Sequence, residues 1–158
     1  MAGMPRIPRQ RPPDSSERTA IAKEVARWVS EKGSAVLHAI AKPSWLFPVI
    51  PTIRSYLDDP RTLDELQSDL SAKAGYDVHH IVERASAEQD GFPARRIGDR
   101  DNLVRIPRMK HWEINAWYGR LNDDYGGVSP RDYLRGKDWE ERRTVGLFAL
   151  KLYGVLKP

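Results

Sequence analysis

The chain contains no cysteine, which excludes disulfides and every metal site built on thiolates. The same absence suits a reducing compartment. Nowhere does an apolar run approach the ~20 residues of a membrane span. The first residues lack the apolar stretch of a secretory signal; they read PRIPRQRPP, rich in proline and arginine. The expected location is therefore a cytoplasm, with no membrane span. One sign of charge is not scarce enough to identify a partner: 26 Lys and Arg against 22 Asp and Glu leave a net charge of +4. That balance permits a polyanionic partner without requiring one.

At 158 residues the chain suits one domain with a helical extension. Residues 1–14 read as a disordered arm, more in keeping with a solvated tail than with a nucleic-acid-binding arm. Residues 15–74 read as a helical region. Ser15 or Ser16 caps a first helix in which Ile21, Val25, Trp28 and Val29 recur at helical spacing, ending near Gly33. Pro43, Pro48 and Pro51 break the apolar stretch 34–57 into short helical pieces. His38 lies in that stretch and reads as a packed or surface histidine outside any site. Thr62 and Glu65 form a capping box for a helix with Leu63, Leu66 and Leu70 on one face, running through Lys73 to a stop at Gly75.

The character changes at Tyr76. Residues 76–82 read as a short strand, 85–100 as mostly loop, 102–106 as a second strand, and Pro107 to about Leu121 as a helix. Residues 123–158 follow as C-terminal helices packed on this unit. Ser129 and Pro130 open a short helix. The last helix, Lys137 to Tyr153, is expected to bury Val145, Phe148 and Leu152. The fold class is α+β, predominantly helical.

Histidine is sparse, yet three of the four fall between positions 79 and 111. His79 and His80 are strand neighbours and point to opposite faces, so they can do different jobs. His111 and Asn115 are four apart on a helix and share a face that can reach one ion. A neutral imidazole is a suitable base for activating water, and a divalent ion can neutralise charge on a phosphate. Arg95, Arg96, Arg100, Arg105, Arg108 and Lys110 surround the second half of this constellation; they suit phosphate neutralisation or, more blandly, a solvated face with local ion pairs. Trp112, Trp117 and Tyr118 read as packing residues in preference to base-stacking ones.

The series Asp77-Val78-His79-His80-Ile81-Val82, then Asp101-Asn102-Leu103-Val104-Arg105-Ile106-Pro107, then His111-x3-Asn115, resembles HNH endonucleases of the colicin and Endonuclease VII type. More narrowly it is similar to the HH-containing nuclease domains of bacterial polymorphic toxins. The tail from Pro130-Arg131-Asp132-Tyr133-Leu134 to Gly154-Val155-Leu156-Lys157-Pro158 also looks like the tails of bacterial proteins with this motif. The resemblance implies a ββα-metal finger over residues 75–122, embedded in a helical domain. It implies His79, His111 and Asn115 as metal ligands, His80 as the general base, and Asn102 as the residue fixing the loop that orients the base. Arg84 and Arg105 are the candidate contacts to the scissile phosphate. One departure is Glu83, where many relatives place proline; another is a longer segment between His80 and Asn102.

The function implied is a metal-dependent endonuclease acting on DNA with little sequence preference, using Mg²⁺, Mn²⁺, Ni²⁺ or Zn²⁺. A toxin effector delivered into a target cell's cytoplasm would have a small acidic immunity protein as its partner. The alternatives are a phage-type or structure-specific HNH nuclease, and a non-catalytic nucleic-acid- or protein-binding module on the same finger.

Overall fold

The computed structural model describes Lys23, Arg27 and residues 50–158. The expectations for the N-terminal arm, the first helix, His38 and the pieces before Ile50 lie outside the described residues. The described chain is a mixed α and β structure: a single two-stranded antiparallel sheet with helices around it. None of its helices is long and apolar enough to cross a membrane.

Helix α1, Ile50–Tyr56, carries Pro51 in its first turn, where the missing N–H costs nothing. Helix α2, Leu63–Ser68, has the expected capping box, with Glu65 N–H donating to Thr62 and Thr62 N–H donating to the Glu65 carboxylate at 2.7 Å. It stops at Ser68, five residues before Lys73. Asp69 is the reason: its extended backbone leaves the helix, and its carboxylate accepts from the Ser71 amide at 2.9 Å, a local turn that competes with another helical turn. Gly75 does not end that helix. It takes φ of 85°, and a side chain there would collide with the Pro51 carbonyl of α1.

Strands β1, Tyr76–His80, and β2, Leu103–Pro107, pair with His79 opposite Val104 and His80 opposite Leu103. β1 stops two residues short of expectation, and β2 starts and ends one residue later than expected, because Asn102 binds the Ile81 and Val82 amides in place of the ladder. The segment between the strands contains two short helices, α3, Arg84–Gln89, and α4, Ala94–Ile97. Gly91, Pro93 and Gly98 mark their ends: Pro93 is the N-cap of α4 and Gly98 its C-cap. Helix α5, Arg108–Tyr118, follows β2 directly and packs on both strands. The short helix α6, Pro130–Tyr133, has Ser129 as its N-cap as expected.

Helix α7, Trp139–Leu152, begins at Asp138, whose side chain accepts from the Glu141 amide. Its buried face is not the expected one. Val145 is buried, but Phe148 and Leu152 are largely exposed, and the inward residues include Arg142, Gly146, Ala149 and Leu150. Gly146 sets this rotation. A Cβ at that position would fall on the carbonyl of Ile81, so the helix approaches the end of β1 closer than any side chain permits. Phe148 then rests against Trp117 at 6.2 Å between ring centroids.

Behind the sheet, Ile81, Val104, Ile106, Ile114, Tyr118 and Leu150 form the centre of the main core, each fully or almost fully buried. The C-terminal tail closes it. Arg61 N–H donates to the Val155 carbonyl and Lys157 N–H donates to the Arg61 carbonyl, both at 2.9 Å.

Gly146→Ala should therefore destabilise the protein by about 2–3 kcal/mol, because overpacking against backbone has no side-chain rotation to relieve it. Urea denaturation measures this, and an unchanged midpoint would show that α7 can withdraw from β1 without cost.

Candidate active site

His79 lies on the face of β1 that meets α5. It is 3% exposed, its ring centroid is 5.0 Å from that of His111, and the two planes meet at 71°. Its Nε2 is buried and has no hydrogen-bond partner among the described residues. Buried polar atoms are nearly always satisfied, so an orphaned ring nitrogen signals a bound group or a role in chemistry. Burial, with help from the imidazoles of His111 and His80, pushes the His79 pKa from 6.5 down to about 3. The ring is thus neutral and its lone pair available.

His111 is held from the other side. Its Nδ1 lies 3.1 Å from Oδ2 of Asp77, and Oδ1 of Asp77 accepts from Nε of Arg108 at 2.9 Å. A carboxylate acceptor places the proton on Nδ1 and leaves Nε2 as a lone-pair donor, which is how metal-ligating histidines are braced. Asp77 is two residues before His79 and shares its strand face. The alternation of β1 carries that signal in the sequence.

His80 is half-buried and lines a cleft of about 410 Å³ together with His79, Glu83, Arg84, His111, Asn115 and Arg131, among others. Desolvation first, and then the nearby Arg84, lowers its pKa below 6.5. Asn115 is exposed, one helical turn after His111, on the same cleft. The structure therefore brings His79, His80, His111, Asn115 and Arg84 together. Arg84 lies at the exposed edge, paired with Glu88 at 2.7 Å.

Asn102 is also present, but beneath the cleft. It is 0% exposed, and its side-chain oxygen accepts from the Val82 amide at 2.8 Å while its NH₂ donates to the Ile97 carbonyl at 2.9 Å. Its own carbonyl accepts from the Ile81 amide. Asn102 thus ends both strands and ties the segment between them to the residues just after His80.

Arg105 is not brought to the cleft: it lies opposite Val78 in the sheet, and its guanidinium is drawn to Asp69, which it pairs with at 2.7 Å. Most of the other basic residues near the motif are similarly occupied. Arg100 donates to the carbonyls of Gln67 and Ser68, Arg96 stacks over Trp139, and Lys110 donates to the carbonyls of Asp58 and Gly154. The local-contact reading of that block fits these residues better than a phosphate-binding one. Trp117 and Tyr118 are buried as packing residues.

Two further cleft residues, Glu83 and Arg131, carry no role in the sequence pattern. The Glu83 carboxylate, 9% exposed, accepts from Nε of Arg131 at 2.8 and 3.0 Å and from its Nη2. The pair joins positions 48 apart, and no local pattern links them.

Comparison of the chain with protein-family models, with curated proteins and with solved structures finds no match. The chemistry of the cleft must be judged on its own groups. Among the described residues, no three His, Cys, Asp or Glu side chains converge as a metal-binding group. The groups that could hold an ion are the imidazoles of His79 and His111, with the Asn115 amide oxygen as a third. Such a sparse set suits an open site, with positions left for water and substrate, better than a closed structural one.

Two outcomes test this geometry. Removing the Asn102 side chain (Asn102→Ala) should cost about 1–3 kcal/mol, since it strands the buried Val82 amide; thermal unfolding reads it directly. Without metal, in EDTA, the depressed His79 pKa makes the unfolded chain bind a proton that the folded chain refuses. Stability from this group is complete above pH 6.5 and declines as pH falls toward about 3. The melting temperature should already drop between pH 7 and about 5, above the carboxylate range, and His79→Leu should flatten that slope. A slope unchanged in the variant would assign it to other groups.

Proposed function

We propose that this chain is a metal-dependent endonuclease of the HNH type, acting on the phosphodiester backbone of DNA. The observation that carries the reading is the buried His79 ring, its Nε2 without a partner among the described residues, 5.0 Å from the ring of His111, whose Nδ1 is braced by Asp77, beside the more accessible His80 in an open cleft. The order strand, strand, helix around these residues supports a ββα-metal finger.

His79, His111 and Asn115 would hold the ion, and a divalent cation bound there would supply positive charge to the phosphate and the leaving oxygen. The remaining work belongs to the chain. His80 is neutral near pH 7 because burial disfavours its charged form, so it can accept a proton from the attacking water. Asn102 fixes the backbone just beyond His80 and so holds the base in position. Asp77 fixes the tautomer and orientation of His111. Arg84, at the solvent edge, can exchange Glu88 for a backbone phosphate at little cost, since an exposed ion pair contributes little.

Resemblance to the nuclease domains of polymorphic toxins supports a role as a toxin effector with a small acidic immunity partner. Expression in a bacterial cytoplasm tests it: arrested growth that His80→Ala relieves supports the toxin role, and unimpaired growth with active protein removes it.

Supercoiled plasmid scanned across Mg²⁺, Mn²⁺, Ni²⁺, Zn²⁺ and EDTA tests the activity. Nicking should require a divalent ion. His80→Ala should lose at least about 10²-fold in rate with the fold and metal binding intact. His111→Ala should weaken metal binding, and Asp77→Asn should do so by roughly 10–100-fold. A folded His80→Ala protein that nicks at the wild-type rate would sink the assignment. Folded wild-type protein that cleaves neither DNA nor RNA with any ion would leave the finger as a binding module.

A further inference from the structure

Two arginines line the cleft, and they differ in kind. Arg84 is exposed at its edge and paired with Glu88. Arg131 reaches the cleft from α6 and is gripped along one edge by Glu83, which takes both Nε and Nη2. Among the described residues its remaining nitrogen, Nη1, makes no hydrogen bond, and 38% of the side chain is exposed.

Arg142 shows what a purely structural guanidinium looks like in the same protein. It is 1% exposed and every nitrogen is used: Nε donates to the Lys137 carbonyl at 2.9 Å, Nη1 to Ser86 at 3.1 Å, and Nη2 to the Leu134 carbonyl at 2.6 Å and to Asp90. Arg131 has the same kind of carboxylate anchor but leaves Nη1 without a hydrogen bond among the described residues, beside Gly119 at the end of α5, and its side chain lines the cleft that carries His79, His80 and His111. A tie between α6 and the start of α3 would not need that open edge.

We propose that Arg131 is the phosphate clamp of the cleft: Glu83 fixes one edge of its guanidinium, and the Nη1 edge binds a non-bridging oxygen of a phosphodiester. This deepens the nuclease reading and rests on it. A guanidinium already held in place loses little freedom on binding, and its planar fork can serve a carboxylate and a phosphate at once. Glu83 is a positioning residue. It touches no substrate, and its low exposure keeps water from competing for the pair.

The test separates the clamp from the nuclease. Binding of a labelled short DNA duplex by the full chain in EDTA is followed by fluorescence anisotropy across a salt series. Arg131→Met alone leaves the buried Glu83 carboxylate unpaired and risks the fold, so Glu83→Gln/Arg131→Met, which removes both charges, is measured beside it with melting temperatures as the folding control. The folded double variant should bind roughly tenfold more weakly. Its slope of log affinity against log salt should be shallower by about 0.9, the loss of one phosphate contact. Arg131→Lys should keep the slope, because it keeps the charge, but lower kcat for plasmid cleavage by roughly tenfold or more with KM little changed. Glu83→Gln alone should likewise keep the slope and lower kcat. A merely structural pair would move neither quantity in a folded variant.

Wild-type affinity and slope in the folded double variant would overturn the clamp, even if His80→Ala abolishes cleavage. If the wild type binds duplex but no ion supports cleavage, the nuclease reading fails, and a loss of slope still upholds Arg131 as a phosphate contact. Absence of any duplex binding by the wild type overturns the clamp together with the reading beneath it.

Discussion

The arrangement depends on one buried amide. Asn102 has no contact with solvent, and it joins three pieces of backbone that no regular ladder connects: the Ile81 amide to its carbonyl, the Val82 amide to its side-chain oxygen, and the Ile97 carbonyl to its NH₂. Each bond is worth only about 0.5–1.5 kcal/mol net. Their larger effect is positional. They end β1 at His80, turn the chain into α3, and return the intervening segment to the start of β2. The imidazole of His80 is thus presented at a strand end, where it can be half-open, while His79 one residue earlier is sealed against α5.

Around that frame the protein divides its charged groups by burial. Deep positions use charge for construction: Arg142 links α7 to α3 and to the carbonyls before it, and Lys110 joins the tail to the loop ahead of α2. The cost of desolvating these cations is offset only because nearly every donor has a partner. The cleft departs from this rule. His79 keeps a buried lone pair without a partner, and Arg131 keeps an open donor edge. Unsatisfied groups are where stability is given up; among the described residues the buried ones are Nε2 of His79, on the cleft, and the hydroxyl of Tyr118, in the core behind it.

The elements with strong local signals were legible in the sequence, and those decided by packing were not. The Thr62 capping box, the Ser129 cap and the break at Tyr76 between helical and strand periodicity all depend on residues within a few positions of one another, and all appear as read. The segment 85–100 misled because its glycines and proline mark helix ends as readily as loops, and helices of six and four residues carry too little periodicity to distinguish the two. The face of α7 misled for another reason. Val145, Phe148 and Leu152 make a good apolar stripe, but Gly146 against the Ile81 carbonyl rotates the helix away from it.

What the sequence determined by itself is the set of groups and their local order: two histidines in alternation on a strand, a histidine and an asparagine one turn apart on a helix, and an asparagine at the foot of the returning strand. Short-range geometry dictates these relations, since a strand alternates faces and a helix returns every 3.6 residues. Arg84, four residues after His80, was within reach of the cleft from the sequence; tertiary structure alone decided which arginine joins it there. Arg105 went to Asp69, while Arg131, distant in sequence and legible only as part of the tail, was brought in by α6 and caught by Glu83. A cation's partner depends on which carboxylate the packed core leaves within a few ångströms of it, and that distance does not exist until the chain has folded.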